Sequence, residues 1–228
     1  MLTERTFNTG VVDINYAEAP SSGPPLVLLH GLTLRWQGFS PIIPFLAMGW
    51  HVYAPDYRGH GKSGRVPDRY MAEDYLSDFE AFLQGLVREP AVLFGHSFGA
   101  LFALALAERM PEHVRAVIIG DIPLSTATWA ALPYEQEAWV RLRTLAGPGS
   151  PVQELASALA NLPVPGHDPP VTYGDLPEVS AVTLREWAKT QSQLDPGVMD
   201  LHAEGRREEL LAAFDFETML RTVSCPVL

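Results

Sequence analysis

A serine between two glycines is the strongest chemical signal in the sequence. Ser97 lies in the pentapeptide Gly95–Gly99, which matches the pattern G-x-S-x-G. The apolar run Ala91–Phe94 predicts a strand directly before it, and Leu101–Glu108 predicts a helix directly after it. A sharp strand-to-helix turn of this kind lifts the serine hydroxyl clear of a sheet, where it can attack a carbonyl. We therefore predict that Ser97 is a catalytic nucleophile; the alternative is a purely structural turn of small residues.

A second candidate element follows the apolar run Leu26–Leu29, which ends at His30 and Gly31. The backbone N–H of the next residue, Leu32, can pair with the N–H of Phe98 to form an oxyanion hole. Each such preorganised donor contributes about 3 kcal/mol to acyl transfer. In a simpler interpretation His30 and Gly31 only make a tight turn, with His30 hydrogen-bonded in the core. The two interpretations are compatible, because only backbone groups are needed for the oxyanion.

A third motif, Asp56–Ser63, superficially resembles a phosphate-binding loop. The pattern G-x-x-x-x-G-K-[ST] requires glycine where Asp56 stands, and no helical pattern begins at Ser63. We therefore exclude nucleotide binding at this motif. The prediction is a structural loop in which Asp56 and Arg58 satisfy backbone groups.

The elements that must position these residues are buried strands alternating with helices. An amphipathic pattern over Tyr75–Val87 predicts a helix between two of the strands. Two extended segments at the N-terminus predict edge strands. The buried runs are Leu26–Leu29, His51–Ala54, Ala91–Phe94 and Ala116–Ile119, and the edge segments are Thr3–Thr9 and Val11–Glu18. This alternation predicts an α/β fold, with a mostly parallel twisted sheet and helices on both faces.

A helical insertion is predicted after the fourth buried run. No further buried-strand run occurs until Ser224–Leu228, where the next strand begins. Helical patterns at Thr126–Leu145, Pro151–Leu162 and Thr183–Leu194 are interrupted by a segment, Pro163–Pro177, that holds five prolines. We interpret the insertion as a cap laid over the site. The predicted domains are the N-terminal core at 1–122, the cap at 123–213 and a return to the core at 214–228.

Composition limits the classes of function. The chain has 228 residues, with 16 basic against 27 acidic side chains and a net charge of −11, which argues against nucleic-acid binding. Its single cysteine, Cys225, cannot form an internal disulfide. No apolar stretch approaches the length of about 20 residues that a membrane span needs. We expect a cytoplasmic monomer or homodimer that acts on a small molecule, without a cofactor, a metal or a membrane partner.

The motifs Pro25–Gly31, Asp56–Ser63, Gly95–Gly99 and Arg115–Asp121, in this order, resemble the α/β-hydrolase superfamily. Within it the chain is similar to the capped esterase, haloperoxidase-like and carbon-carbon-bond hydrolase group. The resemblance implies a nucleophile elbow at Ser97 and an oxyanion hole of backbone N–H groups. Serine at the elbow disfavours the haloalkane dehalogenase and epoxide hydrolase branches, whose chemistry uses an alkyl-enzyme ester.

The resemblance also implies an acid and a histidine base. None of the seven histidines follows a late strand, where the family places its base. Asp121 is a candidate acid, although a carboxylate that merely closes a strand is the favoured interpretation. Either the chain is a fragment whose remainder supplies both groups, or it has lost the triad. An unfinished edge strand and an uncovered apolar surface would be costly, which favours the fragment.

The predicted function is hydrolysis of an ester or similar small carbonyl substrate through an acyl-enzyme at Ser97. Two alternatives stay open: a carbon-carbon-bond hydrolase acting on a vinylogous diketone, and a non-catalytic binding protein that lacks the base. Aromatic residues of the cap indicate a small apolar acyl group, or else they pack the cap onto the core. These aromatic residues are Trp129, Tyr134, Trp139, Tyr173 and Trp187.

Overall fold

A computed structural model of the chain describes residues 1–122, 125, 136–164, 167 and 169–228. In this part six strands form one sheet in the order β1-β2-β4-β3-β5-β6. The strands are β1 Thr3–Asn8, β2 Asp13–Ala19, β3 Pro25–Leu29, β4 His51–Pro55, β5 Ala91–His96 and β6 Val114–Gly120. All six lie where the apolar and extended runs predicted them.

The sheet is parallel except at one edge. Strands β3, β4, β5 and β6 pair in parallel, while β1 pairs with β2 and β2 pairs with β4 in antiparallel register. Next to β6, Val117 accepts a hydrogen bond from the N–H of Leu228 and donates one to the carbonyl of Pro226, both at 2.9 Å. The prediction of a mostly parallel α/β sheet is confirmed.

Helices connect the parallel strands and follow β6. The α-helices of the described part are α1 Ile43–Leu46, α2 Ala72–Phe82, α3 Phe98–Arg109, α4 Gln136–Leu145, α5 Val152–Ala160, α6 Ala181–Gln191, α7 Asp200–Ala203, α8 Arg207–Leu211 and α9 Phe216–Thr222. The helix predicted over Tyr75–Val87 is α2 together with a π-helical turn, Leu83–Val87.

Both faces of the sheet are covered by apolar packing. Side chains such as Val27 and Leu93 point to one face, where α2 and α3 bury them in the larger core. Their neighbours Leu28 and Val92 point to the other face and pack with Trp36 of a short 3-10 turn. This alternation along each strand is what a sheet between two layers of helix requires.

The predicted cap is helical where the structure describes it. Helices α4 and α5 lie inside two of the predicted helical segments, and α6 begins two residues before the third, Thr183–Leu194. Residues 126–135 of the first segment lie outside the described residues. In the proline-rich segment, Pro163 forms an antiparallel bridge with Thr172. The domain boundaries at 123 and 213 stay a prediction.

Candidate active site

Ser97 occupies a strained turn between β5 and α3. Its backbone has φ 51° and ψ −120°, a left-handed conformation that costs a non-glycine residue about 1–3 kcal/mol. The surroundings hold it there, because the Ser97 N–H donates to the carbonyl of Gly120 at 2.8 Å and the Ser97 carbonyl accepts from the N–H of Ala100 at 2.8 Å. The sequence pattern predicted this turn.

The flanking glycines are required by close approach of α3 to the sheet. A Cβ atom on Gly99 would lie 2.3 Å from the carbonyl oxygen of Leu29. One on Gly95 would lie 2.4 Å from the Cα of Ala100. Since neither backbone can rotate away as a side chain can, any larger residue at either position would separate helix from strand.

The loop after β3 lies directly beside the serine. A Cβ atom on Gly31 would lie 3.4 Å from the Cβ of Ser97. Residues 31–34 form a turn closed by the Leu34 N–H, which donates to the Gly31 carbonyl at 3.1 Å. The structure thus places the turn that contains Leu32 beside Ser97, and Phe98 directly follows Ser97 in the chain. The role of their two N–H groups as oxyanion donors stays a prediction.

His30 is buried and uses both of its ring nitrogens. Nδ1 lies 2.8 Å from the Gly31 carbonyl, and Nε2 accepts the N–H of Tyr57 at 3.4 Å. The ring stacks on Tyr57 with centroids 3.8 Å apart. Desolvation holds the pKa of His30 well below its usual value, so the ring stays neutral. The interpretation of His30 as a hydrogen-bonded core residue is confirmed.

His60 is a second buried, neutral histidine near the site. Nδ1 lies 2.9 Å from the Arg58 carbonyl, so it carries the proton, and Nε2 accepts the N–H of Thr33 at 3.3 Å. Burial lowers the pKa of His60 to about 4. Both ring nitrogens are therefore hydrogen-bonded to backbone groups, one in the loop after β3 and one in the loop after β4.

The general base is not identified within the described residues. The Ser97 side chain caps no backbone N–H of α3. The ring of His96 is half-buried, with Nδ1 3.1 Å from the position of a Cβ on Gly31. His51 pairs with Glu18, His113 pairs with Glu112, and the ring of His202 lies 4.4 Å from that of Trp139.

Asp121 lies one residue beyond Gly120, at the carboxyl end of β6 and next to the elbow. It is exposed, and its backbone φ is 55°, which is unusual outside glycine. Its role as a catalytic acid stays a prediction, beside the favoured interpretation that it closes the strand.

The loop Asp56–Ser63 is structural, as predicted. Asp56 is fully buried and accepts hydrogen bonds from the Trp36 N–H at 2.8 Å, the Asn15 amide at 2.9 Å and the Lys62 N–H at 3.3 Å. Desolvation raises the pKa of Asp56 to about 6 despite these bonds. The carboxylate thus organises the loop from within.

Arg58 has a different main partner from the one predicted. Only one of its contacts is to a backbone group, the Arg69 carbonyl at 3.2 Å. Its guanidinium instead makes a bidentate pair with Asp78 of α2, with Nε–Oδ2 2.6 Å and Nη2–Oδ1 2.8 Å, and Arg58 is only 1% exposed. The pair fastens the loop to α2, and nothing in the local sequence pattern marks it.

Cap and core meet above the loops that follow β3 and β4. The N–H of Asp195 donates to the Gly59 carbonyl at 2.7 Å, and its carboxylate accepts from the Tyr70 hydroxyl at 2.7 Å. The amide of Gln191, at the end of α6, donates to the Thr33 carbonyl at 3.0 Å. Sequence reasoning did not find these residues, because they join segments more than a hundred positions apart.

Three of the five cap aromatics fall in the described part. Tyr173 and Trp187 make an edge-to-face pair with centroids 5.3 Å apart, and with Trp139 they pack partly buried against the main core. This packing supports a structural role for the three. Trp129 and Tyr134 lie outside the described residues.

The described residues contain neither a metal-binding cluster nor a membrane-spanning helix. No group of three or more His, Cys, Asp or Glu side chains is arranged to hold a metal ion. None of the described helices is long and apolar enough to cross a membrane.

Comparisons with known proteins match this architecture. Residues 24–143 match the family model described as alpha/beta hydrolase fold. The chain is 30% identical to the 2-(acetamidomethylene)succinate hydrolase of Mesorhizobium japonicum, over 98% of this chain and 75% of that protein. The crystal structure of an E-2-(acetamidomethylene)succinate hydrolase aligns with a TM-score of 0.71 and 25% identity, over 100% of this chain and 79% of that one.

Other relatives match a shorter region. The 2-hydroxymuconate semialdehyde hydrolase of Pseudomonas sp. is 37% identical over 43% of this chain and 36% of its own length. A haloalkane dehalogenase of Mesorhizobium japonicum is 29% identical over 60% of this chain and 44% of its own length. The chain therefore spans less than half of these two relatives, and one of them carries the name of a branch that the elbow serine disfavours.

Proposed function

The chain belongs to the α/β-hydrolase fold family, and from this premise we propose that it is a serine hydrolase with Ser97 as its nucleophile. The observation that carries the proposal is the strained backbone of Ser97, held between β5 and α3 by glycines that admit no side chain. Strain of this kind persists where the surrounding structure over-determines it, and it is concentrated at functional sites.

The proposed reaction proceeds in two steps. The Ser97 oxygen attacks the substrate carbonyl as its proton passes to a general base, and the oxyanion accepts hydrogen bonds from the N–H groups of Leu32 and Phe98. Collapse expels the leaving group, which takes up the proton, and leaves an acyl-enzyme. Water then attacks the acyl carbon and regenerates the hydroxyl. His30 and His60 do not serve as the base in this scheme, since their ring nitrogens are engaged with backbone groups.

The proposed substrate is a small ester or similarly activated carbonyl compound. Relatives named for hydrolysis of an acetamidomethylene succinate and of a muconate semialdehyde support a small carbonyl substrate. The serine at the elbow supports an acyl-enzyme here rather than the alkyl-enzyme of dehalogenases. A monomeric or homodimeric state and a cytoplasmic location belong to the same proposal.

Active-site labelling tests the nucleophile. The full chain is treated with a fluorophosphonate, and the adduct is located by mass spectrometry, in parallel with turnover of p-nitrophenyl acetate. We expect the adduct at Ser97, and we expect Ser97→Ala to abolish both signals. The matched control is Ser157→Ala, an exposed serine of α5, which should leave both unchanged. An adduct on another serine, or no adduct on folded protein, would overturn the assignment.

Carbon-carbon bond hydrolysis is the second candidate. It is supported by the 37% identity to the 2-hydroxymuconate semialdehyde hydrolase, a higher identity over a shorter region than the first relative. A vinylogous diketone is assayed beside p-nitrophenyl acetate: cleavage of the diketone supports this candidate, whereas ester turnover without it removes the candidate. The hydrolase names of the relatives favour an enzyme over a non-catalytic binding protein.

A further inference from the structure

A cap side chain reaches into the turn that supplies one of the proposed oxyanion donors. Gln191 is the last residue of α6, and its side chain is completely buried. Its Nε2 donates to the carbonyl oxygen of Thr33 at 3.0 Å. Thr33 directly follows Leu32, so a bond to its carbonyl acts on the peptide chain next to the proposed donor.

The turn at residues 31–34 needs such support. Thr33 has a φ of 64°, and a β-branched residue is strained in this left-handed region. Two core contacts oppose the strain: Leu34 N–H donates to Gly31, and Thr33 N–H donates to His60. The third contact, from Gln191, is the one that comes from the cap.

We propose that Gln191 is a positioning residue that fixes the oxyanion turn and makes its geometry depend on the docked cap. The proposal rests on the proposed function, because it acts through the N–H of Leu32. Without the amide, the Thr33 carbonyl is buried and unpaired, so the turn gains free energy by rotating toward another donor. A rotation that displaces the Leu32 N–H by about 1 Å is enough to lower acyl transfer about 100-fold.

The other end of the amide shows which property of Gln191 matters. Its Oε1 is buried and has no hydrogen-bond partner in the described part of the chain. The contact with Thr33 therefore depends on the N–H donor of the Gln191 amide, while the amide oxygen takes no part in it. Gln191→Glu tests this directly, since a carboxylate cannot donate whereas a protonated carboxyl can. Burial raises the pKa of a carboxyl group, so the variant should recover its donor as the pH falls.

A neighbouring glutamine gives a matched control. Gln193 is also a cap residue that contacts the core. Its Oε1 accepts a hydrogen bond from Arg35 at 2.7 Å, and its side chain makes no hydrogen bond to the turn at residues 31–34. Gln193→Ala removes a cap contact of similar type without touching Thr33. If Gln191 acts only by docking the cap onto the core, substitutions at Gln191 and Gln193 should lower activity by similar factors.

The experiment compares the wild-type chain with Gln191→Leu, Gln191→Glu and Gln193→Ala. We measure the rate of fluorophosphonate labelling at Ser97 and the KM and kcat for p-nitrophenyl acetate, with circular dichroism to confirm folding. For Gln191→Leu we expect labelling and kcat to fall about 10- to 100-fold with KM changed less than about threefold. For Gln193→Ala we expect less than about a twofold change.

Two outcomes would overturn the inference: a folded Gln191→Leu that is labelled as fast as wild type, or a Gln193→Ala that loses as much. If Gln191→Leu does not fold, Gln191→Glu decides, because its labelling rate relative to wild type must rise as the pH falls. A ratio that is flat with pH contradicts the inference. Failure of the wild-type chain to label at Ser97 would instead contradict the proposed function.

Discussion

Replacing Gly99 by alanine should separate α3 from the sheet. The added Cβ would lie 2.3 Å from the carbonyl oxygen of Leu29, about 1 Å closer than the 3.4 Å at which ordinary contact begins. The carbonyl oxygen of His30 is also close, at 2.8 Å. Both obstacles are backbone atoms, so a rotamer change cannot relieve the overlap. The helix must move away, and we expect the free energy of unfolding to fall by about 3 kcal/mol.

Urea unfolding of Gly99→Ala measures the stability loss, and fluorophosphonate labelling at Ser97 measures the effect on the elbow. The matched control is Gly38→Ala, since that glycine is exposed and a Cβ there meets nothing within 4 Å. The control should be neutral or stabilising by up to about 1 kcal/mol. A Gly99→Ala chain within about 0.5 kcal/mol of wild type that is labelled at the normal rate would refute the close-packing account of this glycine.

Two further predictions concern buried charged and titratable groups. Asp78→Ala should lower the free energy of unfolding by about 3 kcal/mol in urea titrations, because it leaves the buried Arg58 guanidinium with one carboxylate contact, from Nη1 to Asp74 at 3.4 Å. A loss below about 1 kcal/mol, near that of an exposed pair, would contradict this. His60 has a pKa of about 4 in the fold against 6.5 ordinarily, so the unfolded chain binds the proton first. His60 therefore contributes a loss of unfolding free energy as the pH drops from 6.5 to 4, whereas Asp56, with its pKa raised to about 6, acts in the opposite direction over this range. Urea titrations of wild type and His60→Gln isolate the histidine, and the stability of wild type relative to the variant should fall as the pH drops from 6.5 to 4.

The sheet and the elbow could be predicted because their signals are local. A buried strand is a short apolar run, as at Ala91–Phe94, and the elbow is a pattern of five adjacent residues. The exclusion of a phosphate-binding loop is local as well, because it rests on Asp56 standing where the pattern requires glycine. The structure confirms these elements within one or two residues at most strand ends.

The contacts that hold the loops in place were not predictable in the same way. The pair Arg58–Asp78 spans 20 positions, and the bond from Gln191 to Thr33 spans 158. Neither residue type is unusual where it stands, so only the folded chain shows which side chains meet. The left-handed backbone of Thr33 was also missed, because threonine carries no signal for that conformation.

Helix α3 has no face that water can solvate well. All ten residues from Phe98 to Ala107 are buried, between the sheet on one side and α2, α9 and the core aromatics on the other. A segment of this kind cannot detach while the rest stays folded, since exposing it loses most of the core. Hydrogen exchange of its amides should then require global unfolding. The proposed nucleophile therefore lies at the start of a helix that does not open locally. Conformational change on substrate binding is then expected in the cap and not in α3.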